Sequence, residues 1–151
     1  MHQMLHEIHI QAAPRAVLEA LTHAKDLRAW WTDDCSATPE PGSVAEFGFG
    51  GRATVFRMRI DELTDARVVW RCLGDHDEWR GTRLEWDVSA IDTAAGATTG
   101  AATTRLRMRH ADWASDSGWF ALCNTTWGAL MHRLKDQVEG RRPGPMFTGA
   151  A

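Results

Sequence analysis

The chain contains no tyrosine, and of its 17 basic residues only Lys25 and Lys135 are lysines. It also lacks an excess of positive charge: 20 acidic residues leave a formal net charge of −3. Nucleic acid and anionic membranes therefore exert no general pull on it, and no nucleic-acid partner is expected. No apolar run reaches the roughly 18 residues that a membrane-spanning helix needs, so no membrane insertion is expected. The opening MHQMLHEIHI has neither the basic start nor the long apolar stretch of a secretory signal. Cysteine is scarce and odd in number: Cys35, Cys72 and Cys123. Such widely spaced thiols read as reduced side chains, and a cytoplasmic location is expected. A CxxC pair, a Gly-rich phosphate loop and a Ser–His–Asp order are all missing. No catalytic residue, metal ligand or cofactor is assigned on this basis, and whether the protein is an enzyme stays open.

What is present in quantity is tryptophan and methionine, eight and six residues respectively. Tryptophan supplies a large apolar area with a single donor, and methionine fills irregular space. An interior rich in both is either a well-filled core or the lining of an adaptable pocket. A length of 151 residues implies one domain, 1–151.

Hydrophobic periodicity orders the elements. LHEIHIQ, residues 5–11, alternates as a half-buried strand with Ile8 and Ile10 on one face. Ala13-Pro14 opens a helix, proline being suited to a first turn, with Val17, Leu18 and Leu21 as its apolar stripe. A second short helix over roughly 24–31 turns Leu27, Trp30 and Trp31 inward. Residues 32–43 are turn chemistry. Five alternating segments follow, marked by Ala45/Phe47/Phe49, Phe56/Met58/Ile60, Val68/Trp70/Cys72, Leu84/Trp86/Val88 and Leu106/Met108/His110. Period 2 over consecutive segments with short connections means an antiparallel sheet with one wet face. Gly50-Gly51 and Thr64–Ala66 read as turns, and DTAAGATTGA, 92–101, as a hairpin loop. A last helix over about 116–139, capped by Ser115 or Asp116, carries Phe120, Cys123, Trp127, Leu130, Leu134 and Val138. At about 1.5 Å per residue it is about 36 Å long.

The fold class is therefore α+β: a curved antiparallel sheet of about six strands around a long C-terminal helix, with two short helices after the first strand. One helix laid across a twisted, concave sheet cannot fill both ends of the concavity. The remainder is closed by the short helices or stays open, at roughly 300–1,000 Å³ if it is a ligand site.

These segments resemble, nearly end to end, the helix-grip fold of the START-like (SRPBCC) superfamily, in the branch named for activators of the heat-shock-protein-90 ATPase. The similarity is carried by IHIQAAPRAVLEALTHAKDLRAWW, PGSVAEFGFGG, RVVWRCLGDHDEWRGTRLEWDV, TTRLRMRHADW and TTWGALMHRLKDQVEGRRPGP. The superfamily includes lipid and hormone binders, polyketide cyclases and aromatases, and co-chaperone domains. What its members share is a cavity between helix and sheet, not a catalytic motif.

Several constellations invite chemistry. Asp33, Asp34 and Cys35 follow the Trp30-Trp31 pair, but adjacent loop residues point apart and the stretch is turn-like. GDHDEW, 74–79, clusters three carboxylates and a histidine without the spacing of a cation loop. His110 faces inward by parity, as a polar anchor or a hydrogen-bonded core histidine. His6 shares the inward face of the first strand, whereas His9 and His23 face out. Arg105, Arg107 and Arg109 share their outer face with Asp61, Glu85 and Asp87, which reads as cross-strand ion pairing.

The expectation is binding of a small hydrophobic or aromatic molecule between the C-terminal helix and the sheet. Trp31, Phe47, Phe56, Met58 and Trp70 are the expected lining from the first half of the chain. Trp86, Met108, Cys123 and Trp127 are the lining from the second half, with His110 as polar anchor. The alternative is a cyclase- or aromatase-like enzyme using the same cavity, with His110, Asn124, Thr125 and Thr126 as the available polar groups. A protein-interaction role of the co-chaperone type ranks third. A homodimer and a chaperone partner stay open.

Overall fold

A computed structural model describes residues 1–91 and 102–149; the expected hairpin loop at 92–101 lies outside the described residues. The elements run β1 (His2–Ile10), α1 (Pro14–Thr22), α2 (Ala24–Trp30), β2 (Cys35–Ser36), β3 (Val44–Phe49), β4 (Thr54–Leu63), β5 (Arg67–Cys72), β6 (Arg83–Ile91), β7 (Thr103–Trp113) and α3 (Phe120–Val138). The strands form one antiparallel sheet in the order β1-β7-β6-β5-β4-β3-β2. It is curved and unclosed, with β1 and β2 as its edges. Beyond the six strands marked by alternation, the seventh is the two-residue β2, too short to carry a period.

Alternation sorts the two faces as expected. Met58, Ile60, Leu84, Trp86, Leu106 and Met108 are buried on the concave side. The outer side is an ion-pair lattice that follows the strand register. Arg67 lies opposite Asp87 and pairs with it at 2.7 Å, and Arg107 lies opposite Glu7 and pairs at 3.1 Å. Glu85 lies within ion-pair distance of Arg67, Arg83 and Arg109, at 3.0, 3.1 and 3.7 Å, so its buried carboxylate is charge-compensated from three sides.

The helices close the concave side. Pro14 occupies the first turn of α1, and Val17 and Leu21 are buried beneath it. The Trp30 indole donates to the Ala20 carbonyl at 2.9 Å, locking α2 onto α1. α3 differs from expectation at its start. It begins at Phe120 with Trp119 as N-cap, and neither Ser115 nor Asp116 caps it. Its 19 residues span about 28 Å rather than about 36 Å. Ser115 instead accepts the Ser117 N–H in a local turn, and Gly118 takes a left-handed φ of +66°, which no helix continues through. The cap comes from across the molecule: Glu78 Oε1 accepts the Trp119 N–H at 3.0 Å. This is half of a capping box, supplied by a distant loop.

The other end of α3 is tied to the end of β1. Lys135 donates to the His9 carbonyl at 2.6 Å, and Glu139 accepts the Gln11 N–H at 2.6 Å. Burial alone would raise the Glu139 carboxyl, but the Gln11 N–H, Lys135 and Arg141 hold it down at about 2.

Candidate functional site

The chain segment from Trp30 to Cys35 divides its labour. Trp31 caps α2 and turns its ring inward, 4.3 Å from Phe47 and 5.1 Å from Trp127, and stacks at 6.3 Å on Trp70. The carboxylates behind it are structural ties. Asp33 accepts the Gly149 N–H at 2.6 Å, while Asp34 pairs with Arg52 at 2.9 Å and packs on Gly48. The Asp33 N–H donates to the Phe147 carbonyl at 3.1 Å, and the Phe147 N–H to the Trp31 carbonyl at 2.9 Å. The C-terminal strap is thus zipped onto residues 31–33, and it carries Phe147 edge-on against Phe49 at 5.1 Å.

The GDHDEW loop likewise spends its polar groups on structure. Asp75 pairs with Arg57 at 2.8 Å, Asp77 with Arg80 at 2.9 Å, and Glu78 caps α3. The His76 ring stacks on Trp119 at 3.9 Å, and Trp79 stacks on Phe56 at 4.1 Å. Among the described residues no three His, Cys, Asp or Glu side chains converge as a metal site.

These ties leave a cavity of about 210 Å³ where α3, the ends of β3 and β4, the 74–79 loop and the strap meet. Trp31, Phe56, Trp79 and Trp127 form its inner wall, Phe49 and Phe147 one side, and Cys123, Thr126 and Leu130 of α3 another. Trp119 and Leu122 stand at its rim, 38% and 65% exposed. Among the described residues no charged side chain borders it. A larger depression of about 740 Å³ lies outside the core between α1 and the β4–β5 turn, edged by Arg15, Glu19, His23 and Asp65. The smaller cavity is the candidate site, because it alone of the two reaches the apolar interior that the tryptophans build.

Of the ten lining residues expected from sequence, the structure brings Trp31, Phe56, Cys123 and Trp127 to the cavity. Phe47, Met58, Trp70, Trp86, Met108 and His110 are buried but lie behind the wall, where α3 and α2 pack directly on the sheet. Phe49, Trp79, Trp119, Leu122 and Phe147 border the cavity without having been expected there. They sit at a strand end, in a loop, at a helix start and in the tail. Alternation reaches Phe49 through Ala45 and Phe47, but it has no say at the other four.

His110 requires correction as a polar anchor. Its Nδ1 accepts the Trp127 indole N–H at 3.2 Å, which fixes the proton on Nε2, and Nε2 donates to Thr82 Oγ1 at 2.8 Å. The Thr82 hydroxyl then donates to the Trp79 carbonyl at 2.7 Å. Both ring nitrogens are satisfied inside the protein, and burial pushes the imidazole down to about 3. At neutral pH it is an uncharged structural link with no free nitrogen for a substrate. Of the other polar candidates, Thr126 borders the cavity and Asn124 and Thr125 do not. Asn124 Oδ1 bonds His6, and Thr125 and Thr126 donate to the Ala121 and Leu122 carbonyls. Burial raises all three thiols, Cys35 and Cys72 to about 12, so none is a ready thiolate.

Comparison with known proteins follows the same outline. The family model described as "Activator of Hsp90 ATPase homolog 1-like protein" matches residues 11–139. No curated protein matches the chain significantly. The solved Aha1 dimer from Colwellia psychrerythraea is 27% identical, with a TM-score of 0.80 over 94% of this chain and 99% of that one. The Mesorhizobium loti protein MLL2253 shares the fold at 14% identity and a TM-score of 0.71, over 91% of this chain and 97% of its own. DynU16, from the dynemicin biosynthetic locus, shares it at 19% identity and a TM-score of 0.69, over 97% of this chain and 50% of its own.

Proposed function

The chain belongs to the Activator of Hsp90 ATPase homolog 1-like family, and on that premise we propose that it binds a small, uncharged, hydrophobic aromatic molecule in the cavity beside α3. The observation that carries this reading is an aromatic-walled cavity with no charged side chain among the described residues. Ligand pockets are mostly apolar with few polar groups, but those for drug-sized molecules run to roughly 300–1,000 Å³. At about 210 Å³ this cavity is smaller. An apolar cavity of about 150 Å³ takes up benzene, so one or two rings match the space here. Both His110 nitrogens are bonded inside the protein and Asn124 and Thr125 lie off the cavity lining, which favours binding over acid–base catalysis.

The test is titration with the bicyclic hydrocarbon indane, read by tryptophan emission and by Tm, for the wild type and for Thr126→Phe, which fills the cavity from α3. Saturable quenching with a raised Tm, both lost in the variant, supports the reading. Unmoved emission and Tm with indane and with a panel of flavonoids and aromatic polyketides would sink it. The dimer described for the Colwellia psychrerythraea protein motivates a homodimer here as well; a monomer mass by light scattering at micromolar concentration would remove that element. The unpaired thiols fit the reducing cytoplasm, where we place the protein.

A further inference from the structure

The two edges of the sheet are protected unequally. The unpaired main-chain groups of an edge strand are a template for another strand unless short length, charge or a covering element blunts them. β2 is only two residues long, and Arg28 donates to its Cys35 carbonyl at 2.9 Å. β1 is nine residues long and contains neither lysine nor proline. Along an antiparallel edge strand, alternate residues turn their N–H and C=O groups to the neighbour and to the open side. α3 marks which ones face out in β1. Lys135 donates to the His9 carbonyl and Glu139 accepts the Gln11 N–H, so the odd-numbered residues point away from β7. Among the described residues no such tie is made at Gln3, Leu5 or Glu7. All three are exposed, Leu5 by 62%. An apolar side chain thus stands at the middle of an unprotected edge.

We infer that β1 is the self-association surface of this chain: two copies pair antiparallel through Gln3–Glu7 about a two-fold axis at Leu5, joining their sheets into one. The occupant is a second copy because the edge is self-complementary. An axis at Leu5 sets Leu5 against its own copy and Gln3 against Glu7, so no like charges oppose each other across the seam. An axis at His6 would instead set Leu5 against Glu7 and two histidines against each other. Glu7 already holds Arg107 at 3.1 Å, so its charge asks nothing of the partner. α3 runs alongside β1 on the concave side, where Asn124 bonds His6 and Gly128 packs on the same ring. The axis therefore brings the exposed, uncharged Ala121, Asn124 and Thr125 of each α3 towards the seam. They widen the contact towards the roughly 1,200 Å² that a specific pair of proteins buries. The cavity lies on the other flank of α3, beside Leu122 and Thr126, so pairing leaves its rim open. This inference rests on the homodimer proposed above and names the surface that forms it.

The experiment follows amide hydrogen exchange in the wild-type protein above and below its dimer dissociation constant, which sedimentation velocity supplies. Where a tenth of the chains remain monomeric, the Gln3, Leu5 and Glu7 amides should exchange about tenfold more slowly than in the dilute protein. Met4, His6 and Ile8, whose main-chain groups face β7, should change less. Leu5→Lys removes the apolar pair and sets two ammonium groups across the axis, so the dimer dissociation constant should rise about tenfold. The exchange measurement needs no variant and decides the matter. A dimeric protein in which the three amides exchange alike at both concentrations refutes this surface while the homodimer reading stands. A chain that stays monomeric at millimolar concentration refutes both, whatever strand of another protein then pairs with β1.

Discussion

Acidification from pH 7 to pH 5 should cost the fold about 2 kcal/mol through His110 alone. The ring is buried, uncharged and doubly hydrogen-bonded, with its folded pKa lowered from 6.5 to about 3. In the unfolded chain it titrates near 6.5. Below that value the unfolded state takes up the proton and the folded state does not. Stability is therefore complete above about pH 6.5 and falls by about 1.4 kcal/mol per pH unit down to the folded pKa. The 1.5 units between 6.5 and 5 give the figure of about 2 kcal/mol; at pH 4 the loss reaches about 3 kcal/mol. Urea denaturation at pH 7, 6 and 5 measures the slope. His110→Gln is less stable throughout but lacks the titrating group, so the difference in pH slope between the two proteins isolates His110 from the remaining histidines. Equal slopes would refute the reasoning. So would a His110 ring that titrates near 6.5 in the folded protein by NMR, or one whose proton lies on Nδ1.

Other residues carry further expectations. Glu139, held at about 2 in the fold against an ordinary value near 4.5, contributes about 1–3 kcal/mol that is present above pH 4.5 and lost as the pH falls towards 2; the stability gap between wild type and Glu139→Gln should close over that window. Glu78→Ala removes the distant cap of α3 and should cost about 1 kcal/mol, seen as faster amide exchange in residues 119–123. Gly118→Ala should be at least as damaging, since it places a Cβ at φ +66° against Glu78. Phe147→Ala opens the cavity on the strap side and should admit larger aromatics than the wild type at a cost of about 1–2 kcal/mol, checked by Tm and by the same emission titration. Cys35 and Cys72 should resist thiol reagents in the native protein and react fully only in denaturant.

Much of this architecture is legible in the chain. The alternation of Leu84, Trp86 and Val88 with Arg83, Glu85 and Asp87 separates inner from outer face without a structure, and the outer carboxylates meet arginines as the shared face implies. Parity also turns His110 inward correctly. Parity cannot tell a residue on a cavity wall from one behind it. Trp70 and Trp31 are both inward, yet only Trp31 borders the cavity, because the difference depends on where α3 crosses the curved sheet. Nor can local sequence show a cap supplied from 41 residues away, which is why Ser115 and Asp116 were the expected start of α3 and Glu78 is the actual one. Phe147 is invisible for the same reason. It reaches the site through backbone hydrogen bonds to residues 31–33, and nothing in its own surroundings in the chain announces that contact.

The most direct test of the account is where a bound molecule sits. With indane added to isotope-labelled protein, intermolecular NOEs should connect its protons to the methyl groups of Thr126 and Leu130 and to the rings of Phe49 and Trp127, all of which border the cavity. NOEs confined to the depression beside Leu18 and Leu63, or no intermolecular NOEs at saturating indane, would contradict the assignment of this cavity as the binding site.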